Sequence, residues 1–110
     1  MNKFFKKFNN KIKLLHRANK KIYLENSKEA IISGLQDTNY DGIEIDIRLT
    51  KDNQWIVYHD NNLNRLASIN KEIKTLNYDD LPILNYKNKK YNIIKLKDLI
   101  NLNFMNKIIN

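Results

Sequence analysis

The stretch from Gly42 to Asp60 constrains the rest of the chain more than any other. In its first half Ile43, Ile45, Ile47 and Leu49 alternate with Glu44, Asp46 and Arg48, the two-residue period of a strand with one apolar face. Glu44 and Asp46 therefore leave the backbone on the same side. Their Cα atoms lie roughly 6 to 7 Å apart, so both carboxylates can reach one hard divalent cation. Trp55-Ile-Val-Tyr-His59 is a second β-rich run, and Lys51-Asp52-Asn53-Gln54 between the two reads as a tight turn. A hairpin closed by Asp52-Asn53 sets His59 opposite Asp46 on the same face. Glu44, Asp46 and His59 then make a set suited to metal-assisted proton transfer, whereas the ordinary use of such a carboxylate pair is a solvated strand face.

The flanking segments set this stretch in an α/β framework. Ile12-Lys-Leu-Leu-His16 reads as a first strand ending in His16-Arg17. Asn26-Ser-Lys-Glu29 is a helix start, with Asn26 as N-cap and Glu29 at the third position, and Ala30, Ile31 and Leu35 give the inward stripe. That helix should stop near Asp37 to Asn39, before the Tyr40-Asp41-Gly42 turn into the central strand. Strand, helix, strand at this spacing is a βα unit. Further on, Asn77-Tyr-Asp-Asp80 predicts a short capped helix stopped by Pro82, residues 85–92 a polar loop, and Leu96, Leu99, Ile100 and Phe104 the stripe of a last helix.

Charge separates one segment from the rest. Residues 1–21 hold eight Lys or Arg and no acid, while residues 22–110 hold twelve of each, so the whole net charge of +8 sits at the N-terminal end. Residues 1–11 read as a basic arm, with Phe4, Phe5 and Phe8 spaced to share a helical face, and residues 12–110 as the domain proper. Asn, Lys and Ile make up 52 of the 110 residues, a bias that A/T-rich codons explain, so the lysines by themselves imply no partner. Without cysteine there is neither a disulfide framework nor thiolate chemistry. No apolar run is long enough for a membrane span, and lysines interrupt the first residues too early for a signal-peptide core, so a cytoplasmic location is the default expectation.

Taken in order, His16-Arg17, Glu25-Asn26, Glu44-x-Asp46, Leu49-Thr50-Lys51-Asp52, His59-Asp60 and Leu63-x-Arg65 resemble the glycerophosphodiester phosphodiesterase family, over roughly residues 13 to 100. The resemblance implies a metal-dependent hydrolase that cleaves small glycerophosphodiesters to glycerol 3-phosphate and an alcohol. It makes His16 and His59 the groups that exchange protons, Arg17 a bidentate phosphate contact, and Glu44 and Asp46 ligands of Mg²⁺ or Ca²⁺. Glu25 matches a recurrent family glutamate. Ala18 stands where the family usually has glycine, and Ile94-Lys95 where it usually has Pro-Thr before the last helix.

The fold so implied is an eight-stranded α/β barrel, typically about 250 residues. This chain supplies the N-terminal part of such a TIM-barrel-like phosphodiesterase fold, an incomplete barrel. The third metal carboxylate and a nearby lysine are expected on the next barrel strand, which would start near Met105 to Asn110. The expectation is therefore a truncated product, a fragment, or a catalytically inactive remnant. The non-enzymatic alternative is a small basic protein that binds nucleic acid or a membrane surface through its arm. No nucleic-acid motif accompanies the charge, which leaves a weak membrane-surface contact through residues 2–13.

Overall fold

The computed structural model describes residues 12–100 and 108–109. The arm assigned to residues 1–11, and Phe104 of the expected last helix, lie outside the described residues. Strand β1 (Leu14–His16) is followed by helix α1 (Lys28–Gln36) and strand β2 (Gly42–Glu44), and β1 and β2 pair in parallel. A third parallel strand, β9 (Ile108–Ile109), pairs with the other edge of β2, so the sheet order is β1-β2-β9. Successive parallel strands laid side by side are the opening of a βα barrel, and the described residues form no closed one.

Helix α1 covers one face of this sheet because its apolar residues recur at helical spacing. Ala30, Ile31 and Leu35 are fully buried against Leu15 of β1 and Ile43 of β2. Fully burying an aliphatic side chain of this size contributes about 1.5 to 3 kcal/mol, so these contacts fix the helix on the sheet. Closest approach comes at Gly34, where a Cβ would lie 2.6 Å from Ile43 Cγ2.

Residues 45–107 lie between the adjacent strands β2 and β9, and much of this excursion is built from local hairpins. Strands β3 (Ile47–Leu49) and β4 (Trp55–Val57) pair antiparallel, as do β5 (Asn62–Leu63) with β6 (Ile69–Glu72) and β7 (Leu84–Tyr86) with β8 (Lys89–Tyr91). Helix α2 (Asn64–Ala67) joins β5 to β6, and helix α3 (Leu96–Ile100) follows β8. The excursion has its own core, in which Ile56, Tyr58, Leu63, Ile73 and Tyr91 are buried. Val57 and Leu99 instead join the cluster under α1, which ties the excursion to the sheet.

Four expectations from the sequence need correction. The alternating run is two strands, because the chain leaves the parallel sheet after Glu44, and Ile47 and Leu49 remain exposed at 42% and 37%. The β3–β4 register pairs Ile47 with Val57 and Leu49 with Trp55, one residue away from that of a two-residue loop. Asn53 takes a left-handed φ of 59°, and the ladder closes on Thr50 and Gln54 around a three-residue loop. Asp46 therefore bonds through its carbonyl to the N–H of Tyr58, and His59 lies one position past it. The N-cap of α1 is Ser27, not Asn26: Ser27 Oγ accepts from the N–H of Ala30 at 3.1 Å, while Asn26 is left-handed with φ 56°. Residues 85–92 contain the β7–β8 hairpin, turned by Lys87 and Asn88, both at positive φ as a two-residue primed turn requires. The short helix at Tyr78–Asp80 forms as a 3₁₀ turn, and the Asp80 carboxylate accepts from the Asn77 N–H.

Candidate active site

The C-terminal ends of β1 and β2 lie side by side, with His16 in register with Glu44. Neighbours in a parallel register point to the same face, and His16 Nε2 meets Glu44 Oε1 at 3.3 Å. The Nδ1 of the same ring lies 3.2 Å from Lys20 Nζ. An ammonium only donates, so Nδ1 accepts and the ring proton sits on Nε2, facing Glu44.

After His16 the backbone turns sharply, with Arg17 and Ala18 both left-handed at φ 55° and 62°. This turn brings the N–H of Ala18 to the carbonyl of Glu44 at 2.9 Å and sends the Arg17 side chain toward Glu25, Asp46 and His59. There Arg17 Nη1 donates to Glu25 at 3.3 Å, Nη2 lies 3.0 Å from His59 Nε2, and Nε lies 4.0 Å from Asp46 Oδ2. Arg17 Nε is buried and makes no hydrogen bond among the described residues.

Asp46 is held by Asn26, whose Nδ2 donates to Asp46 Oδ2 at 3.1 Å and whose Oδ1 accepts from the Asp46 N–H at 3.3 Å. The left-handed turn at Asn26 that costs the helix a capping residue is what aims this amide at Asp46. Glu44 ends β2 and Asp46 follows just beyond it, but each has its own partners, His16 for the first and Asn26 with Arg17 for the second. Among the described residues no group of three His, Cys, Asp or Glu side chains could hold a metal ion.

His59 is fixed at three points. Arg48 Nε and Nη2 both donate to its carbonyl, at 2.8 and 2.6 Å, and its Nδ1 lies 2.7 Å from Asp60 Oδ1. A guanidinium has only donors, so the 3.0 Å contact with Arg17 makes Nε2 the acceptor and places the ring proton on Nδ1, toward Asp60. The two histidines thus hold opposite tautomers. The His16 proton faces a carboxylate of the sheet, and the His59 lone pair faces the guanidinium of Arg17.

Arg65 closes the cluster from outside, donating to Glu25 at 2.9 and 2.7 Å and to Asp60 at 2.9 and 3.1 Å. Hydrogen bonding from Arg65 lowers the Asp60 carboxyl to a pKa of about 2. Burial alone would raise Glu25, but Arg65 and Arg17 outweigh it and the carboxyl lies below its ordinary range. Asn26, Arg48, Asp60 and Arg65 carry this organisation, although patterning assigned none of them to the site. One signal was available. The chain has seventeen lysines and three arginines, and all three arginines converge on His59 or on the carboxylate beside it. In a sequence so biased to lysine, arginine persists where its planar fork makes contacts that an ammonium cannot.

The sequence profile of the glycerophosphoryl diester phosphodiesterase family matches residues 16–109. The chain belongs to this family. It is 37% identical over 68 residues to lysophospholipase D GDPD3 of Mus musculus, covering 62% of this chain and 20% of that protein. With a glycerophosphodiester phosphodiesterase of Bacillus altitudinis it shares 39% identity over 66 residues, covering 60% of this chain and 26% of the relative. The crystal structure of a glycerophosphodiester phosphodiesterase from Thermotoga maritima superposes with a TM-score of 0.71 at 33% identity, over 88% of this chain and 41% of that one. One from Agrobacterium tumefaciens, at 21% identity, shares the fold with a TM-score of 0.75 over 90% and 45% of the two chains. The chain thus spans about a fifth to a quarter of these curated relatives and less than half of the solved structures. Its fold is α/β, the N-terminal part of the family's TIM-barrel-like architecture.

Proposed function

We propose that this family member acts in the hydrolysis of glycerophosphodiesters to glycerol 3-phosphate and an alcohol, in the cytoplasm. The observation that carries this reading is the buried Nε of Arg17, which makes no hydrogen bond among the described residues and lies 4.0 Å from Asp46 Oδ2 while Nη2 of the same guanidinium meets His59, at the C-terminal end of the sheet. A buried guanidinium N–H without an acceptor suits a phosphate oxygen, and barrel enzymes place their chemistry at this end of the strands. His59, with a free pair on Nε2, is suited to take the proton of the attacking oxygen once Arg17 turns to the phosphate, and His16, with its proton on Nε2, to protonate the leaving oxygen.

Glu44 and Asp46 supply hard carboxylate oxygens at the same sheet end, a donor set that fits Mg²⁺ or Ca²⁺ with water or further ligands completing the shell. The Asn26 and Arg17 contacts both use Oδ2 of Asp46, and Glu44 is 40% exposed, so the two side chains offer oxygens to such an ion. A divalent ion there would supply Lewis-acid polarisation of the phosphate.

The test is release of glycerol 3-phosphate from glycerophosphocholine with Mg²⁺ or Ca²⁺, comparing the native chain with His16→Ala, His59→Ala and Glu44→Gln. Each histidine variant should lose most of the turnover, and Glu44→Gln should lose its response to added metal. Turnover that survives His59→Ala undiminished would overturn the assignment. Absence of any metal-stimulated release would favour a catalytically inactive remnant.

A further inference from the structure

We propose that Arg65 is a positioning residue for this reaction: by fastening the Asp60 carboxylate it holds the His59 ring in the tautomer whose Nε2 lone pair faces Arg17 and the phosphate position. The inference rests on the assignment of His59 to proton transfer, and it concerns a residue outside the groups that would touch substrate. Arg65 bonds neither histidine. It reaches Asp60 through Nε at 2.9 Å and Nη2 at 3.1 Å, and Asp60 Oδ1 is the atom that faces His59 Nδ1 at 2.7 Å.

Three features make this more than a surface ion pair. First, the contact is bidentate on both sides, because the opposite edge of the same guanidinium holds Glu25 at 2.9 and 2.7 Å. A fork shared by two carboxylates fixes the plane of each, which one ammonium cannot do. Second, both carboxylates are well covered, with side-chain exposures of 11% for Glu25 and 19% for Asp60 against 46% for Arg65 itself. Third, Glu25 also accepts from Arg17, so one guanidinium sets both supports of the His59 ring, Asp60 on Nδ1 and, through Glu25, Arg17 on Nε2. Which ring nitrogen of an imidazole carries the proton is decided by the bond that the other makes. Release of Asp60 therefore allows the ring to flip its proton to Nε2 and lose the lone pair the reaction needs.

His16 and His59 are the chain's two histidines, which makes a direct test simple. Long-range ¹H–¹⁵N spectra of the ¹⁵N-histidine-labelled full chain, without substrate, report the tautomer of each ring. The native protein should show His59 protonated on Nδ1 and His16 on Nε2. In Arg65→Gln the Nε2-protonated form of His59 should rise severalfold while the His16 pattern is unchanged. Arg65→Lys, which keeps the charge and loses the fork, should give an intermediate population and serves as the deciding variant if Arg65→Gln does not fold. A merely structural role would lower stability and leave the ratio in the folded protein where it was. An unchanged His59 ratio in a folded variant, or Nε2 protonation in the native chain, would overturn the proposal. Because no turnover is measured, a tautomer that responds to Arg65 in a protein that hydrolyses nothing would refute the hydrolase reading alone.

Discussion

Gly34 should resist the substitution that helix propensity favours. In an exposed helix interior, glycine to alanine stabilises by about 1 kcal/mol. Here the added Cβ would sit 2.6 Å from Ile43 Cγ2 and 3.3 Å from Leu15 Cδ1. Ile43 is fully buried and the clashing methyl is attached to its branched Cβ, so relief needs a change of χ1 in a packed side chain or a shift of helix against sheet, and neither is cheap. Overpacking of this kind costs about 1 to 3 kcal/mol, and a contact this short belongs in the upper half of that range. Subtracting the propensity gain leaves Gly34→Ala destabilised by about 1 to 2 kcal/mol, to be measured by urea denaturation at unchanged slope. A double-mutant cycle identifies the cause. In an Ile43→Ala background the new methyl fills part of the space vacated by Cγ2, so Gly34→Ala should become neutral or stabilising, a coupling of roughly 1 to 3 kcal/mol. If Gly34→Ala raises stability in the native background, the proposed close seat of α1 on the sheet is wrong.

Ser27→Ala should cost about 2 kcal/mol in the same assay, because the buried hydroxyl caps Ala30 and also donates to the Leu24 carbonyl at 2.7 Å; a loss under about 0.5 kcal/mol would mean that the cap is dispensable. Ala18→Gly should change stability by less than about 1 kcal/mol: relief of the left-handed conformation gains roughly 1 to 2 kcal/mol, while the buried methyl and the extra freedom of the unfolded chain together offset about as much. A gain above about 2 kcal/mol would show that the turn after His16 is more strained than its φ implies. Acid should weaken the fold through Asp60, whose folded pKa of about 2 lies below its ordinary 3.8. A depressed carboxyl contributes stability that is fully present above its unfolded pKa and is lost as pH falls toward the folded one, so the urea midpoint should drop between about pH 4 and pH 2. Asp60→Asn should flatten that drop, and an unchanged slope would place the acid sensitivity elsewhere.

The βα unit was legible because its signals are local and periodic: the strand at Leu14–His16, the inward stripe of Ala30, Ile31 and Leu35, and the stop before Gly42 are all present. What patterning missed turns on backbone sign. Asn53, Asn26 and Asn88 each adopt positive φ, which alternation and apolar spacing cannot register, and each changed a register, a cap or a turn. The site shows the same division. Neighbouring strand ends bring His16 to Glu44, a pairing that the order of strand, helix and strand implies. The meeting of Arg17, His59 and Asp46 depends instead on the turn after His16 and on contacts up to 42 residues apart, which no local pattern encodes.

The long excursion between β2 and β9 has a kinetic consequence. Joining two adjacent strands across residues 45–107 would be slow if that segment were a featureless loop, since closure entropy grows with its length. Its hairpins close over a few residues each and can form on the microsecond scale, which shortens the effective distance before the ends must meet. Assembly should then proceed from β1, α1 and β2 on one side and the pre-formed hairpins on the other, with His59 delivered to Arg17 when the two halves dock. On this route substitutions in the β3–β4 turn should slow folding, and those in β9 should mainly hasten unfolding.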